Sequence, residues 1–273
     1  MNSPQVLLGL VLSALLGYAG YRRRSLSGSG VVGAILVGTV IFGLGGWGWG
    51  ALLVVFFVSS SALSHFKEGY KTAVAEKFSK GSRRDLAQAL ANGGAGLLAA
   101  LGNALWPHPL WWVAYVGAMA TVNADTWATE LGVLSRAVPR LITTGQKVET
   151  GASGGLTAMG TLAALAGAGL IGLVAAGFDL AGGRPLPGVI WLFAAAALAG
   201  LFGSLVDSLL GATLQAIYTC DGCGKETERH PLHTCGAPTR HRRGWRWLNN
   251  DWVNFLSSVG GAGAAVLMWG LVR

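Results

Sequence analysis

Asp125 and Glu130 lie in the stretch Asn123 to Gly132, which closes an apolar run from Leu110 to Val122. A carboxylate in the middle of a bilayer costs about 2.5–3.5 kcal/mol on insertion scales, so such a group faces a polar cavity, a partner or a cation. On a helix Asp125, Ala128, Thr129 and Gly132 share one face, and Glu130 points about 140° away, nearer Asn123 and Trp127. Either the helix breaks between the two acids or they have separate tasks. The plain alternative is a carboxylate paired with a nearby arginine or backbone donor to fix packing.

A second acid sits in Gly203 to Thr213, where Ser204, Asp207, Ser208 and Gly211 line one helical face of an otherwise apolar run. Between these two segments runs Arg136 to Gly155, carrying Arg140, Thr144, Lys147, Thr150, Gly151, Ser153, Gly154 and Gly155. Hydroxyls, a lysine and glycines just before a helix start suit phosphate, because backbone N–H groups and the helix dipole favour an anion there. The loop is not a Walker motif, and glycines before membrane helices also serve steric ends. Two acids beside a phosphate-type loop form a candidate Mg²⁺ and polyphosphate site, since Mg²⁺ is held by one or two carboxylates plus substrate phosphates.

Further on, Cys220-Asp-Gly-Cys223 precedes His230, His233 and Cys235. The spacing resembles half a zinc ribbon, and Cys220, Cys223, Cys235 with His233 or His230 complete a Cys₃His set for a structural Zn²⁺. Surface thiols are the other reading. Asn250, Asp251 and Asn254 open the last apolar run, where they serve as ligands or as helix N-cap chemistry.

These residues need elements to hold them. The chain of 273 residues is 52% hydrophobic and 12% charged, with 43 glycines. That profile belongs to a polytopic membrane protein of all-α class, in which small residues let helices approach closely. With about 20 apolar residues per crossing, spans are expected near 4–21, 30–45, 48–64, 87–105, 110–128, 154–177, 188–213 and 252–271, about eight in all. The second and third meet at a Gly/Trp-rich join and are compatible with a re-entrant hairpin. Arg22-Arg23-Arg24 follows the first span and no basic residue precedes it, so that span is expected to be retained and not to be a secretory or transit peptide.

Eighteen of the twenty Lys and Arg residues fall in alternate loops, with Arg184 and Arg273 on the other side. The positive-inside rule then puts both termini outside and the polar residues, including Asn92 and Asn123, at the cytosolic face of a bacterial-type inner membrane. The net charge of +8 follows from this topology, and no aromatic and basic interleaving points to nucleic acid. The expected organisation is one membrane domain over 1–273, with cytosolic loops at 65–86 (amphipathic), 133–153 (phosphate-type) and 216–250 (Cys/His).

Taken in order, Phe56 to Ser61, Gln88 to Gly94, Ala124 to Gly132, Pro139 to Thr144, Gly203 to Ala212 and Trp247 to Asp251 resemble a family of multi-spanning membrane proteins that includes the plant phytyl-phosphate kinase. More distantly, Asp125-x-x-Ala128-x-x-x-Gly132 followed by Lys147-x-x-x-Gly151-x-x-Gly154 is similar to the CTP-using dolichol kinases and phosphatidate cytidylyltransferases. Here Ser204 replaces an acid found in those enzymes and Asp207 carries the charge, while Thr150 separates Glu149 from Gly151. The resemblance implies phosphoryl transfer from a nucleoside triphosphate, CTP by analogy, to an isoprenoid monophosphate such as phytyl phosphate.

In that reading Asp125, Asp207 and Glu130 hold Mg²⁺. Lys147 and the backbone from Thr150 to Gly155 hold the nucleotide, with Thr144, Asn92, Asn123, Ser204, Ser208 and Asn250 around it. Arg140 meets the acceptor phosphate, and the prenyl tail lies among glycine-rich spans. The alternatives are a cytidylyltransferase making a CDP-lipid, a cation-coupled transporter, and a scaffold that recruits a partner through the Cys/His loop.

Overall fold

The computed structural model describes residues 3–67, 69–70 and 83–271. The amphipathic loop expected over 65–86 falls mostly outside these. Eight long helices account for most of the described chain: α1 Ser3–Arg22, α2 Gly28–Gly45, α3 Trp47–His65, α4 Leu86–Leu105, α5 Pro109–Gly132, α6 Ala158–Ala181, α7 Leu186–Thr213 and α8 Asn250–Gly270. Helices are the open-chain way to satisfy every backbone N–H and C=O in lipid. All but α4 and α5 are long and apolar enough to cross a membrane.

The packing is inside-out by soluble-protein standards. The buried residues of α1 are Gly9, Ser13, Gly17 and Gly20, whereas Leu7, Leu15 and Tyr18 stand exposed. Small residues at about every fourth position form the seam against α2, and the large apolar side chains face outward, where lipid would solvate them. The same device lets α5 run through the middle of the bundle. It contacts α3, α4, α6, α7 and α8, and every residue from Tyr115 to Ala124 is buried.

The helices have two distinct ends. At one, the connections after α1, α3, α5 and α7 meet: Ser27 N donates to Arg84 O (2.9 Å), Ser25 Oγ pairs with His65 Nε2 (3.1 Å), and Ser153 Oγ donates to Glu228 Oε1 (2.8 Å). At the other, Gln5 Nε2 donates to Phe42 O (3.1 Å) and Trp112 Nε1 to Asp179 Oδ1 (3.0 Å). α2 and α3 each run from one end to the other, with Gly46 at φ 84° turning the chain between them, and so form an antiparallel pair.

Two small sheets, absent from the sequence expectation, decorate the first end. β1 Arg140–Leu141 pairs with β2 Gly155–Leu156 in the connection before α6. β3 Ile217–Cys220 lies between β4 Glu226–Thr227 and β5 Thr239–Arg243 in the connection before α8.

Candidate functional site

The acidic helix does not break. α5 is continuous to Gly132, so Asp125 and Glu130 leave it in different directions, as their spacing requires. Asp125 turns toward α7, where Ser204 hydrogen-bonds it and the charge of Asp207 is felt across the gap. Asp207 in turn accepts a hydrogen bond from the buried Ser257 of α8 (Ser257 Oγ to Oδ2, 3.1 Å). Glu130 faces α3 instead, accepting a short bond from Ser64 Oγ (2.6 Å). Arg84 lies beside it, its guanidinium held below its ordinary pKa by burial, with the charge of Glu130 opposing.

These groups border one cavity of about 390 Å³ at the polar end of the bundle. Its walls gather Asp125, Thr126 and Glu130 from α5; Gln88 and Asn92 from α4; Ser204, Asp207 and Ser208 from α7; and Asn250, Asp251 and Asn254 from α8. The segment Thr150 to Thr157 closes one side, and Ala164, Leu201 and Leu205 make an apolar wall deeper in the bundle. Asn249 takes over the α8 N-cap, accepting from Trp252 N (3.1 Å), so the next turn of that helix is available to the cavity.

Several expected site residues are placed elsewhere. Arg140, Thr144 and Lys147 are exposed and do not line the cavity. They belong to a hairpin that closes on itself: Arg140 bridges Lys147, the Arg140 guanidinium donates to Gly145 O (2.8 Å), and Thr144 Oγ1 accepts from Gln146 N (3.3 Å). Asn123 is fully buried and also lies outside the cavity lining. Its Oδ1 accepts from Ser59 (3.0 Å) and its Nδ2 donates to Gly167 O (2.7 Å), which binds α3, α5 and α6 together. Glu130 lines the cavity but is turned away from the Asp125–Asp207 gap toward Ser64 and Arg84, so it does not complete a compact three-acid cluster with them.

The glycines of the loop act mainly in docking. A Cβ at Gly154 would sit 2.5 Å from Ala212 Cβ and 2.7 Å from Ser208 O, and its φ is 82°. Gly154 thus lets the arm lie against α7 and brings Thr150 to Gly155 over Asp207.

Residues not expected from the sequence also contribute. Among the described lining residues Arg84 is the sole cation, set against Asp125, Glu130, Asp207, Glu228 and Asp251. Gln215 is buried in the wall, and its Nε2 has no hydrogen-bond partner among the described residues. Glu228 arrives from the Cys/His connection, and its charge acts on both Asp125 and Asp207. No local pattern marks these three, because each depends on which connections meet in space.

In that connection Cys220, Cys223, His233 and Cys235 place one ligand atom each within 4.8 Å of one another, the sole such group of three or more among the described residues. Sulfur to sulfur is 3.4 Å for Cys220 and Cys235, and His233 Nδ1 lies 3.3 Å and 3.6 Å from the sulfurs of Cys235 and Cys223. The amide of Cys223 hydrogen-bonds the Cys220 sulfur and holds its thiol below the ordinary value. His230 stacks on Tyr218 at 4.5 Å and pairs with Thr239, away from this group.

The family model described as Integral membrane protein DUF92 matches residues 11–262. The chain is 37% identical over 276 residues to Protein PGR of Arabidopsis thaliana, covering 94% of each chain. It is 29% identical over 265 residues to an uncharacterized membrane protein of Methanocaldococcus jannaschii, covering 97% of this chain and 94% of that one. Protein VTE6, chloroplastic, of Arabidopsis thaliana is 27% identical over 251 residues, 89% of this chain and 65% of the relative. No solved structure matches.

Proposed function

The chain belongs to the DUF92 family of integral membrane proteins, and from that premise we propose that it is a membrane-embedded phosphotransferase that moves the γ-phosphoryl group of a nucleoside triphosphate, CTP by resemblance, onto an isoprenoid monophosphate. The observation that carries this reading is the charge balance of the cavity: five carboxylates and one guanidinium line a site that also has an apolar wall. A bare polyphosphate would be repelled there; a polyphosphate bound with divalent cations would be attracted. An all-oxygen donor set around Asp125 and Asp207 fits Mg²⁺, which needs one or two carboxylates and takes its remaining ligands from phosphate and water.

Asp125 and Asp207 would hold that cation, and when bound it supplies charge neutralisation between donor and acceptor phosphates. The chain's own residues do the rest. An acceptor phosphate is already anionic near neutral pH, so no strong general base is needed, and alignment dominates. Gln215 offers its unpaired amide N–H to a phosphoryl oxygen. Arg84, braced by Glu130 and by Ser61 Oγ (3.1 Å), is the cation for the remaining charge, the role that the sequence suggested for Lys147 and Arg140. Ala164, Leu201 and Leu205 offer the apolar surface where a prenyl chain begins. The clustering of basic segments at the cavity end supports a cytosolic or stromal-type negative face, by the positive-inside rule.

Transfer is tested with purified protein, prenyl monophosphate and CTP labelled at the α- or the γ-phosphate. γ-Label in a lipid diphosphate is expected. α-Label in the lipid would mean cytidylyl transfer at the same site. The acidic excess also favours a second reading, cation transport, which would appear as ion flux in liposomes with no label in lipid under either condition.

A further inference from the structure

We propose that Cys220, Cys223, His233 and Cys235 bind a structural Zn²⁺, and that this ion builds a wall of the cavity by fixing the segment that delivers Glu228 beside Asp125 and Asp207. Tetrahedral zinc with thiolate and imidazole ligands requires edges of about 3.5–3.8 Å between ligand atoms. The observed separations of 3.3, 3.4 and 3.6 Å approach that figure. A disulfide would engage two of the cysteines and leave the third sulfur and the imidazole gathered at the same point without reason.

The backbone is arranged for the same end. Two tight turns each present a pair of ligands. In the first, Gly224 N donates to Cys220 O (2.9 Å) and Cys220 N to Lys225 O (3.0 Å). In the second, Gly236 N donates to His233 O (2.9 Å) and His233 N to Ala237 O (3.0 Å). Gly224 and Gly236 take positive φ in these turns. The sheet's strands run only four, two and five residues, so a metal clip between its turns would add to its stability.

Glu228 lies between the ligands Cys223 and His233, one residue beyond β4. There the Thr227 hydroxyl accepts the Arg229 amide (3.2 Å) and turns the chain. Its carboxylate takes the Ser153 hydroxyl (2.8 Å), joining the Cys/His module to the arm before α6. The module's other side is fixed to α7: the Arg243 guanidinium donates to Gly211 O (3.1 Å) and Ala212 O (3.0 Å). Zinc therefore ties β3, which follows the α7 that carries Asp207, to the strand that brings a third carboxylate. The effect on the cation site rests on the reading of Asp125 and Asp207 as divalent-cation ligands; the zinc site does not.

The test uses the full chain in detergent. Zinc content is measured by elemental analysis, and Mn²⁺ alone probes the acid site by its electron paramagnetic resonance signal. Equimolar zinc is expected in the wild type and in Glu228→Gln, and little in Cys223→Ser/Cys235→Ser. Glu228→Gln should weaken Mn²⁺ binding about 10-fold or more, and stripping zinc should do the same in the wild type while adding little in Glu228→Gln, as groups in one network do. If the double cysteine variant does not fold, stripping and Glu228→Gln still decide. Wild-type protein without zinc after growth in zinc-supplemented medium overturns the metal site. Zinc loss or Glu228→Gln that leaves Mn²⁺ binding unchanged, or no Mn²⁺ binding at all, overturns the coupling. Failure of the phosphotransferase reading has a different signature: Mn²⁺ bound and zinc-sensitive, with no added binding of CTP.

Discussion

Replacing Gly154 with alanine separates backbone strain from close packing at the arm that roofs the cavity. At φ 82° an alanine costs about 1–2 kcal/mol. Its Cβ would also meet Ala212 Cβ at 2.5 Å and Ser208 O at 2.7 Å, well inside the 3.5–4.0 Å optimum of carbon pairs. Those neighbours belong to the α7 backbone and its first carbon, which cannot swing aside, so overpacking adds about 1–3 kcal/mol. The sum is about 2–5 kcal/mol against docking of the arm.

Gly145 provides the control. It has φ 69° and nothing within 4 Å of an added Cβ, so Gly145→Ala carries the strain alone, at a hairpin tip. Limited proteolysis of the segment 133–157 reads the undocked population when reclosing outpaces cleavage. Gly154→Ala should raise cleavage about 5- to 140-fold over Gly145→Ala, since the two share the strain, the overpacking of about 1–3 kcal/mol is the difference, and each 1.4 kcal/mol is a factor of about ten. It should also abolish Mg²⁺-dependent stabilisation by CTP in a thermal-shift assay. Equal cleavage in the two variants would refute the claim that contact with α7, and not turn strain, is what Gly154 serves.

Asp207→Asn should remove Mg²⁺-dependent triphosphate stabilisation, whereas Lys147→Ala, an exposed change, should stay within about twofold of wild type; comparable loss in both would return Lys147 to the site. Gln215→Met deletes the unpaired donor, so triphosphate affinity should fall about 2- to 10-fold while the apo protein is no less stable, as titration and melting curves would record. Asn123→Ala deletes two hydrogen bonds of a buried side chain, those with Gly167 O and with Ser59 Oγ. It should cost about 1–3 kcal/mol of stability with triphosphate affinity unchanged in the folded fraction; a selective loss of affinity would mean that Asn123 touches ligand.

The sequence by itself determined the helices. Apolar length is set by bilayer thickness, so the expected spans near 30–45 and 188–213 meet observed helices at Gly28–Gly45 and Leu186–Thr213 with shifts of two residues or fewer. For Asp125 and Glu130 the sequence left two outcomes, a broken helix or divergence, and the unbroken α5 selects divergence, because a period of 3.6 residues leaves no other. It named the Cys/His group, whose spacing is local chemistry.

Tertiary structure alone decided which connections meet. Arg84 enters the cavity from the connection before α4, and Gln215 and Glu228 from the one between α7 and α8, more than a hundred residues further on, and nothing in their own neighbourhoods marks them. Lys147 and Arg140 look suited to phosphate in the sequence, yet the hairpin at Gly145 uses its polar groups on itself and turns them outward. The physical reason is one of range. Helix length, capping and facing are fixed by neighbours within a few turns, whereas a cavity is fixed by close approaches such as Gly154 on Ala212, where the absence of a side chain in one segment admits another.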